Sequence, residues 1–269
     1  MLTTRINFKN FKIKKNLKLQ AKILPLFKKK NEIINSLSKD YKDSFNKKEL
    51  NKFKKFNNFR LIGMGGSTLG AQAIYSFLCA KIKKKFEFID NLKNHQNKNL
   101  KNKIVNIIVS KSGNTIETIA NANILINKKD KNIFITENKM SNLYLLAEKL
   151  KSDVIHHNNF IGGRYSVLSE VGMVPAELMG LSSKHFRQYN SLIKNKKFLN
   201  ALMLNVASIR NFIKKKKFNS IIINYDEKSD NLFKWYQQLI AESLGKKNTG
   251  LLPIISTMPK DNHSVMQLY

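Results

Sequence analysis

The chain has 269 residues and is 42% hydrophobic, enough for one large domain or two small ones with a real core. Its formal net charge of +31 invites a nucleic-acid or membrane-surface role. However, Lys far outnumbers Arg, and the Lys runs at Lys28–Lys30, Lys83–Lys85 and Lys214–Lys217 are scattered over surface and linker segments, as a chain-wide bias would leave them. Neither nucleic acid nor membrane is therefore expected as a partner, and the positive field is left to attract a small anionic substrate.

Residues 1–58 are polar, basic and weakly periodic. Ile33, Ile34 and Leu37, extended by Tyr41 and Phe45, suggest helices packed on the outside of a later domain. No stretch here reads as a signal peptide, and no apolar run in the chain approaches the roughly 20 residues of a membrane span, so a cytoplasmic protein is expected.

Phe59–Met64 is the first clear strand, followed by Gly63-Met64-Gly65-Gly66-Ser67-Thr68-Leu69-Gly70 and a helix over about Thr68–Lys81. The turn invites a dinucleotide fingerprint, but the third glycine of that pattern would fall at Thr68. A Walker loop fails as well, because Ala71 rather than Lys follows Gly70. What remains is a close backbone approach at Gly65-Gly66 and a hydroxyl, Ser67, at a helix start. The single cysteine, Cys79, excludes an internal disulfide and reads as a small core residue. Phe86–Ile89 is strand-like, and residues 91–103 are a charged connection.

Ile104–Val109 is a β-branched strand running straight into Ser110-Lys111-Ser112-Gly113-Asn114-Thr115 and a helix from Ile116. Three hydroxyls, a Gly and a Lys at a helix N-terminus suit a phosphate, because the free backbone N–H groups and the helix dipole both favour negative charge there. An ordinary turn capped by Thr115 fits the same residues. Asn132–Thr136 and Val154–His156 read as strands and Ser141–Leu150 as a helix opened by Ser141. This alternation predicts a doubly wound parallel sheet with its ligand at the carboxyl ends of the strands, where both hydroxyl-rich turns lie. Gly162-Gly163-Arg164-Tyr165-Ser166 then offers close backbone approach and a fixed cation, or simply a turn with a surface Arg. An apolar helix follows through Val167–Leu181.

Further on, Lys184–Ser191 and Ala201–Lys217 read as helices and Ser220–Asn224 as a strand. Asp230–Leu244 reads as a helix with a buried stripe of Leu232, Trp235, Tyr236, Leu239, Ile240 and Ser243. Gln238 and Glu242, four apart, share one face of it.

Five motifs now stand in order: Gly65-Gly66-Ser67-x-Leu69-Gly70; Ser110-Lys111-Ser112-Gly113-x-Thr115-x-Glu117-Thr118; Gly162-Gly163-Arg164-Tyr165-Ser166; Gln238-x-x-Ala241-Glu242-Ser243-x-Gly245-Lys246; and Asp261-x-His263-Ser264. Over about residues 59–269 the sequence resembles the glucose-6-phosphate isomerase family in its shorter, bacterial form. The resemblance implies an α/β fold of the sugar-isomerase (SIS) kind, two such domains per chain. Here that means an N-terminal extension over 1–58, a first domain over 59–195 and the start of a second over 196–269.

It also implies reversible conversion of glucose 6-phosphate to fructose 6-phosphate, in glycolysis and gluconeogenesis, through a cis-enediol and without a metal or organic cofactor. Glu242 would be the base that moves the proton between C2 and C1, provided burial raises its proton affinity. His263 would open the sugar ring and Arg164 would stabilise charge on the enediol oxygens. Gly66, Ser67, Ser110, Lys111, Ser112, Thr115, Gly163 and Gln238 would bind the substrate and its phosphate. In the family the ring-opening His comes from the neighbouring subunit, which implies a homodimer.

The chain stops at Gln267-Leu268-Tyr269, whereas the family continues to a C-terminal helix with a catalytic Lys. A fragment of a longer chain is expected, with exposed strand edges and apolar surface in its incomplete second domain. Two alternatives remain open. One is a non-catalytic sugar-phosphate-binding module, which would need the hydroxyl-rich turns but not Glu242 or His263. The other is a related phosphosugar aldose–ketose isomerase, since nothing in the turns separates sugars that differ at C2. His95, His156, His157 and His185 stand in no motif.

Overall fold

The computed structural model describes residues 17–28, 31–92, 104–127, 129–246 and 250–269. The ragged start, the connection over 93–103 and His95 lie outside them. In chain order, helices α1 (Leu17–Lys28), α2 (Glu32–Ser36) and α3 (Lys47–Lys54) precede β1 (Asn58–Gly63), α4 (Leu69–Phe77) and β2 (Lys85–Ile89). Next come β3 (Ile104–Val109), α5 (Ile116–Leu125), β4 (Lys131–Thr136), α6 (Asn142–Lys149) and β5 (Asp153–His156). Helices α7 (Glu170–Leu178), α8 (Ser183–Phe186), α9 (Tyr189–Lys194) and α10 (Lys196–Lys214) lead to β6 (Asn219–Asn224), α11 (Asp230–Leu244) and β7 (Leu252–Thr257).

Strands β1 to β5 pair in parallel in the order β2-β1-β3-β4-β5. Their near-continuous apolar runs are what a sheet covered on both faces requires. On one face Leu61, Ile107, Ile133 and Ile135 pack against α4 and α7, and on the other Ile62, Ile108 and Phe134 pack against α5 and α6. The polar residue inside β3, Asn106, lies in register with Asn132 and donates to its Oδ1 at 2.9 Å and to Asp130 at 3.2 Å, so its burial keeps two hydrogen bonds. Ser141 caps α6 as expected, accepting from Tyr144 N.

The N-terminal helices are tied into this unit. Phe45, Leu50 and Phe53 belong to the core cluster on the α7 side. Polar contacts cross the same seam: Asp43 with Arg187, Lys47 with Glu177, and Tyr41 with Glu170 at 3.1 Å.

Strands β6 and β7 form a separate two-stranded parallel sheet. Ile221, Ile223 and Leu252 stay exposed on it, the last at 59%. Helix α11 joins the two strands and lies against α4 and β7. Among the described residues, no helix is long and apolar enough to cross a membrane.

The structure corrects three expectations. Cys79 is exposed, because α4 ends at Phe77 and a 3-10 turn over Cys79–Lys81 carries the thiol outward. The helix expected over Lys184–Ser191 breaks at Arg187, whose backbone leaves the helical region at φ −91°, ψ 77° and whose buried guanidinium pairs with Asp43 across the seam. The stripe on α11 is only half-buried, since a two-stranded sheet cannot cover it.

Candidate active site

In the strand order, the connection leaving β1 runs to β2 on one side, and β3 continues toward β4 on the other. The switch point of the sheet therefore lies between β1 and β3, where a doubly wound sheet offers its ligand crevice. Gly63 and Val109 are paired at that edge, so the turns holding Ser67 and Ser110–Thr115 leave the sheet side by side.

The first turn is a 3-10 turn over Gly65–Ser67, and its glycines are needed for contact rather than decoration. A Cβ on Gly66 would come within 2.4 Å of the Gly163 carbonyl, so the two glycine turns touch backbone to backbone. Gly65, at φ +52°, lies under the amide of Gln238. Ser67 is half-buried between them.

The second turn is closed by its own hydroxyls. Ser110 Oγ and Thr115 Oγ1 are 2.9 Å apart, and Gly113 N donates to Ser110 Oγ at 3.1 Å. Gly113 has φ +68° and would carry a Cβ into Ser141 Oγ. Thr115 occupies the N-cap position of α5 but makes no side-chain cap bond, contrary to the ordinary-cap expectation. The first-turn N–H groups of α5 thus remain outside the intrahelical ladder and face the same end of the sheet. Ser112 is exposed, its Oγ accepting from Asn114 N at 3.2 Å. Lys111 Nζ bonds Asn159 O at 2.8 Å and lies 3.4 Å from Glu137, so it ties this turn to the loop after β5. Burial pushes the Glu137 carboxyl up, but Lys139 and Lys111 outweigh it and hold it below its ordinary value.

Arg164 is brought to the crevice by the Gly162-Gly163 turn and is gripped by α11. Its Nε donates to Ser243 Oγ at 3.0 Å, its Nη1 to Glu242 Oε2 at 3.3 Å, and its carbonyl accepts from Trp235 Nε1 at 3.0 Å. Its guanidinium carbon stands 4.5 Å from the Tyr165 ring centre. Burial works against the Arg164 charge, yet Tyr165 and Glu242 outweigh it and make the cation firmer than usual. Gln238 and Glu242 share one face of α11, as their spacing predicts, and Gln238 Nε2 donates to Glu242 Oε1 at 2.8 Å, while Gln238 Oε1 is buried without a partner.

Gly66, Ser67, Ser110, Thr115, Gly163, Arg164, Gln238 and Glu242 are thus gathered at one end of the sheet. The burial asked of Glu242 is not present: its side chain is 48% exposed, with Arg164 beside it at 25%. His263 stands apart, exposed on the 3-10 turn after β7 and outside this network; Asp261 anchors that turn through Ser256 Oγ and Thr257 N. Sequence reasoning missed Trp235, Tyr165 and Ser243 as partners of Arg164. Helical spacing puts Trp235 and Ser243 in a buried stripe, and their placement near the Gln238–Glu242 face is the one sequence signal for another role.

A doubly wound sheet with two hydroxyl-rich turns at its switch point and a cation–carboxylate pair beside the first of them fits an α/β fold of the sugar-isomerase kind. The chain belongs to the phosphoglucose isomerase family, whose model matches residues 23–252. It is 32% identical over 249 residues to glucose-6-phosphate isomerase of Methanocaldococcus jannaschii, covering 85% of this chain and 61% of that protein. It is 33% identical over 244 residues to the glucose-6-phosphate isomerase of Acholeplasma laidlawii, covering 77% and 55%. The chain therefore spans roughly three-fifths or less of these relatives. Among solved structures, a hypothetical protein of Thermus thermophilus superposes with a TM-score of 0.75 at 23% identity, covering 94% of this chain and 66% of that one. The tagatose-6-phosphate ketose/aldose isomerase of Escherichia coli has the same fold, with a TM-score of 0.56 at 16% identity and coverage of 81% and 61%.

Proposed function

We propose that this chain carries the substrate crevice of a glucose-6-phosphate isomerase, interconverting glucose 6-phosphate and fructose 6-phosphate. The observation that carries the reading is the meeting of Arg164 and Glu242 beside the glycine turn that holds Ser67, at the switch point where the Ser110–Thr115 turn also leaves the sheet.

In this reading the phosphate sits at the open N-terminus of α5, held by its N–H groups, by Ser110, Ser112 and Thr115, and by Ser67 from the neighbouring turn. Gly66 and Gly163 leave room for the sugar backbone to approach. Glu242 removes the proton from C2, and the electron pair of that C–H bond forms the C1–C2 double bond as the C1 oxygen gains a proton, giving a cis-enediol; the C1–C2 pair then takes the proton back from Glu242 at C1 as the C2 hydroxyl gives up its proton and becomes the ketone. Arg164 offsets the negative charge that grows on the enediol oxygens. The resting contact between Arg164 and Glu242 is long, at 3.3 Å, and substrate oxygens inserted between them would turn each toward its own task. Gln238 steadies the other carboxylate oxygen of Glu242.

His263 serves ring opening. Its exposure away from the Arg164–Glu242 pair fits delivery to the site of a second copy, and a homodimer is part of the proposal. The residues 196–269 are the start of a second sugar-isomerase domain, with α11 as the element that reaches back to the first. A cytoplasmic, glycolytic role follows from the same reading.

The test is a coupled assay of fructose 6-phosphate conversion on the purified chain beside its Glu242→Gln variant. Turnover that falls by roughly 10²–10⁴-fold in the variant supports the assignment. Equal turnover in both removes Glu242 from the base role.

A further inference from the structure

Arg164 is a long, flexible side chain following a Gly-Gly turn, so something must fix its direction before it can act on a substrate oxyanion. Gly163 gives no help, since nothing lies within 4 Å of where its Cβ would stand. Four contacts are available: the Trp235 indole on the Arg164 carbonyl, the Tyr165 ring against the guanidinium, Ser243 on Nε and Glu242 on Nη1. The first fixes only backbone. The last is the longest of the three hydrogen bonds, and a base that takes a proton from substrate has to leave it. The contacts that can persist through a reaction are Ser243 and Tyr165.

These two are joined to each other. Tyr165 and Ser243 hydroxyl oxygens are 2.8 Å apart, while Ser243 Oγ accepts from Arg164 Nε. The three groups close a triangle: ring face under the guanidinium, phenol on the serine, serine on the arginine. Ser243 follows Glu242 directly on α11, so the residue that fixes the cation and the residue that receives it are set by the same helical turn. The triangle leaves Arg164 Nη2 engaged by neither α11 side chain. Burial pushes the Tyr165 phenol up, but the Ser243 hydroxyl and the Arg164 and Lys246 charges outweigh it and hold it low, as a phenol bonded into a cationic triangle should be.

We propose that Ser243, with its hydroxyl fixed by Tyr165, is the positioning residue that aims the Arg164 guanidinium into the crevice. The placement rests on the geometry; its catalytic consequence rests on the isomerase reading above. Neither residue touches the reacting atoms.

Two measurements separate the parts. The chain has five arginines, Arg5, Arg60, Arg164, Arg187 and Arg210, so a ¹⁵N-arginine spectrum holds at most five Nε–H signals, and Arg164→Lys assigns one of them. The Arg164 Nε–H is expected to exchange slowly with water in the wild type and in Ser243→Thr, faster in Tyr165→Phe, and fastest in Ser243→Ala. Unchanged protection in Ser243→Ala overturns the proposal. In turnover, Ser243→Ala is expected to lower kcat by roughly 10- to 100-fold with KM little changed, and Ser243→Thr to restore most of it. A rise in KM alone, or an equal loss in both variants, overturns the catalytic consequence. A wild-type chain with a protected Arg164 Nε–H but no turnover contradicts the isomerase reading and leaves the hold of Ser243 on Arg164 supported.

Discussion

The five-stranded sheet and the β6–α11–β7 unit are built from similar sequence and buried to very different depths. Both use β-branched parallel strands and amphipathic helices, yet Leu61, Ile107, Ile133 and Phe134 are fully buried while Ile221, Ile223 and Leu252 face solvent. A two-stranded sheet cannot cover a helix from its own side, so α11 leans on α4 instead. The consequence is functional: the half-buried helix brings Gln238, Glu242 and Ser243 onto the glycine turns of the well-packed unit. In the proposed reading, rigidity of the phosphate end and placement of the acid–base end therefore come from different parts of the chain.

That division can be broken from either side. Glu242→Gln is expected to have the largest effect on turnover, roughly 10²–10⁴-fold, with little change in melting temperature because the side chain is half exposed. Loss of folding in this variant would mean that Glu242 holds α11 in place. Phe134→Ala is expected to cost about 3–5 kcal/mol in denaturant unfolding, against about 1 kcal/mol for Leu239→Ala on α11. Equal costs would remove the contrast between the two units. Gly66→Ala places a Cβ against the Gly163 backbone and should weaken sugar-phosphate binding, measured by calorimetry, more than it lowers stability.

The smallest effect is on pH dependence and belongs to the well-packed unit. Burial holds His157 below its ordinary value of 6.5, even though Glu170 and the Asn158 carbonyl act the other way. Its neutral form is therefore the folded one, and the unfolded chain takes up the proton first. The stability this contributes is present above the ordinary histidine range and is lost as pH falls through it. Glu177, pulled below its ordinary value by Lys47 and Ser183 against the opposing effect of burial, adds a second loss at lower pH. Thermal melts should fall in the first of these windows for the wild type and fall less for His157→Gln.

Strands β1 to β6, the glycine and hydroxyl-rich turns and the bounds of α11 were legible in the sequence because each is a local pattern of β-branching, glycine or helical spacing, whereas β7, with Pro253 near its start, was not read as a strand. Four of the five motifs hold residues that the structure brings to the switch point, and the fifth, around His263, stands apart. What was not legible is pairing across long stretches of chain. Asp43 with Arg187, Tyr41 with Glu170 and Arg164 with Ser243 are separated by 144, 129 and 79 residues, and no local rule announces them. The break at Arg187 coincides with one such pair. The exposure of Cys79 and the half-burial of α11 depend on what lies opposite, which apolar spacing does not report.

The central claim is that Glu242 moves a proton at a sugar-phosphate carbon beside Arg164, and solvent deuterium tests it most directly. Fructose 6-phosphate incubated with the chain in D₂O, followed by proton NMR, should exchange a hydrogen at C1 and yield glucose 6-phosphate deuterated at C2, and Glu242→Gln should do neither. Exchange or product formation undiminished in Glu242→Gln would contradict it.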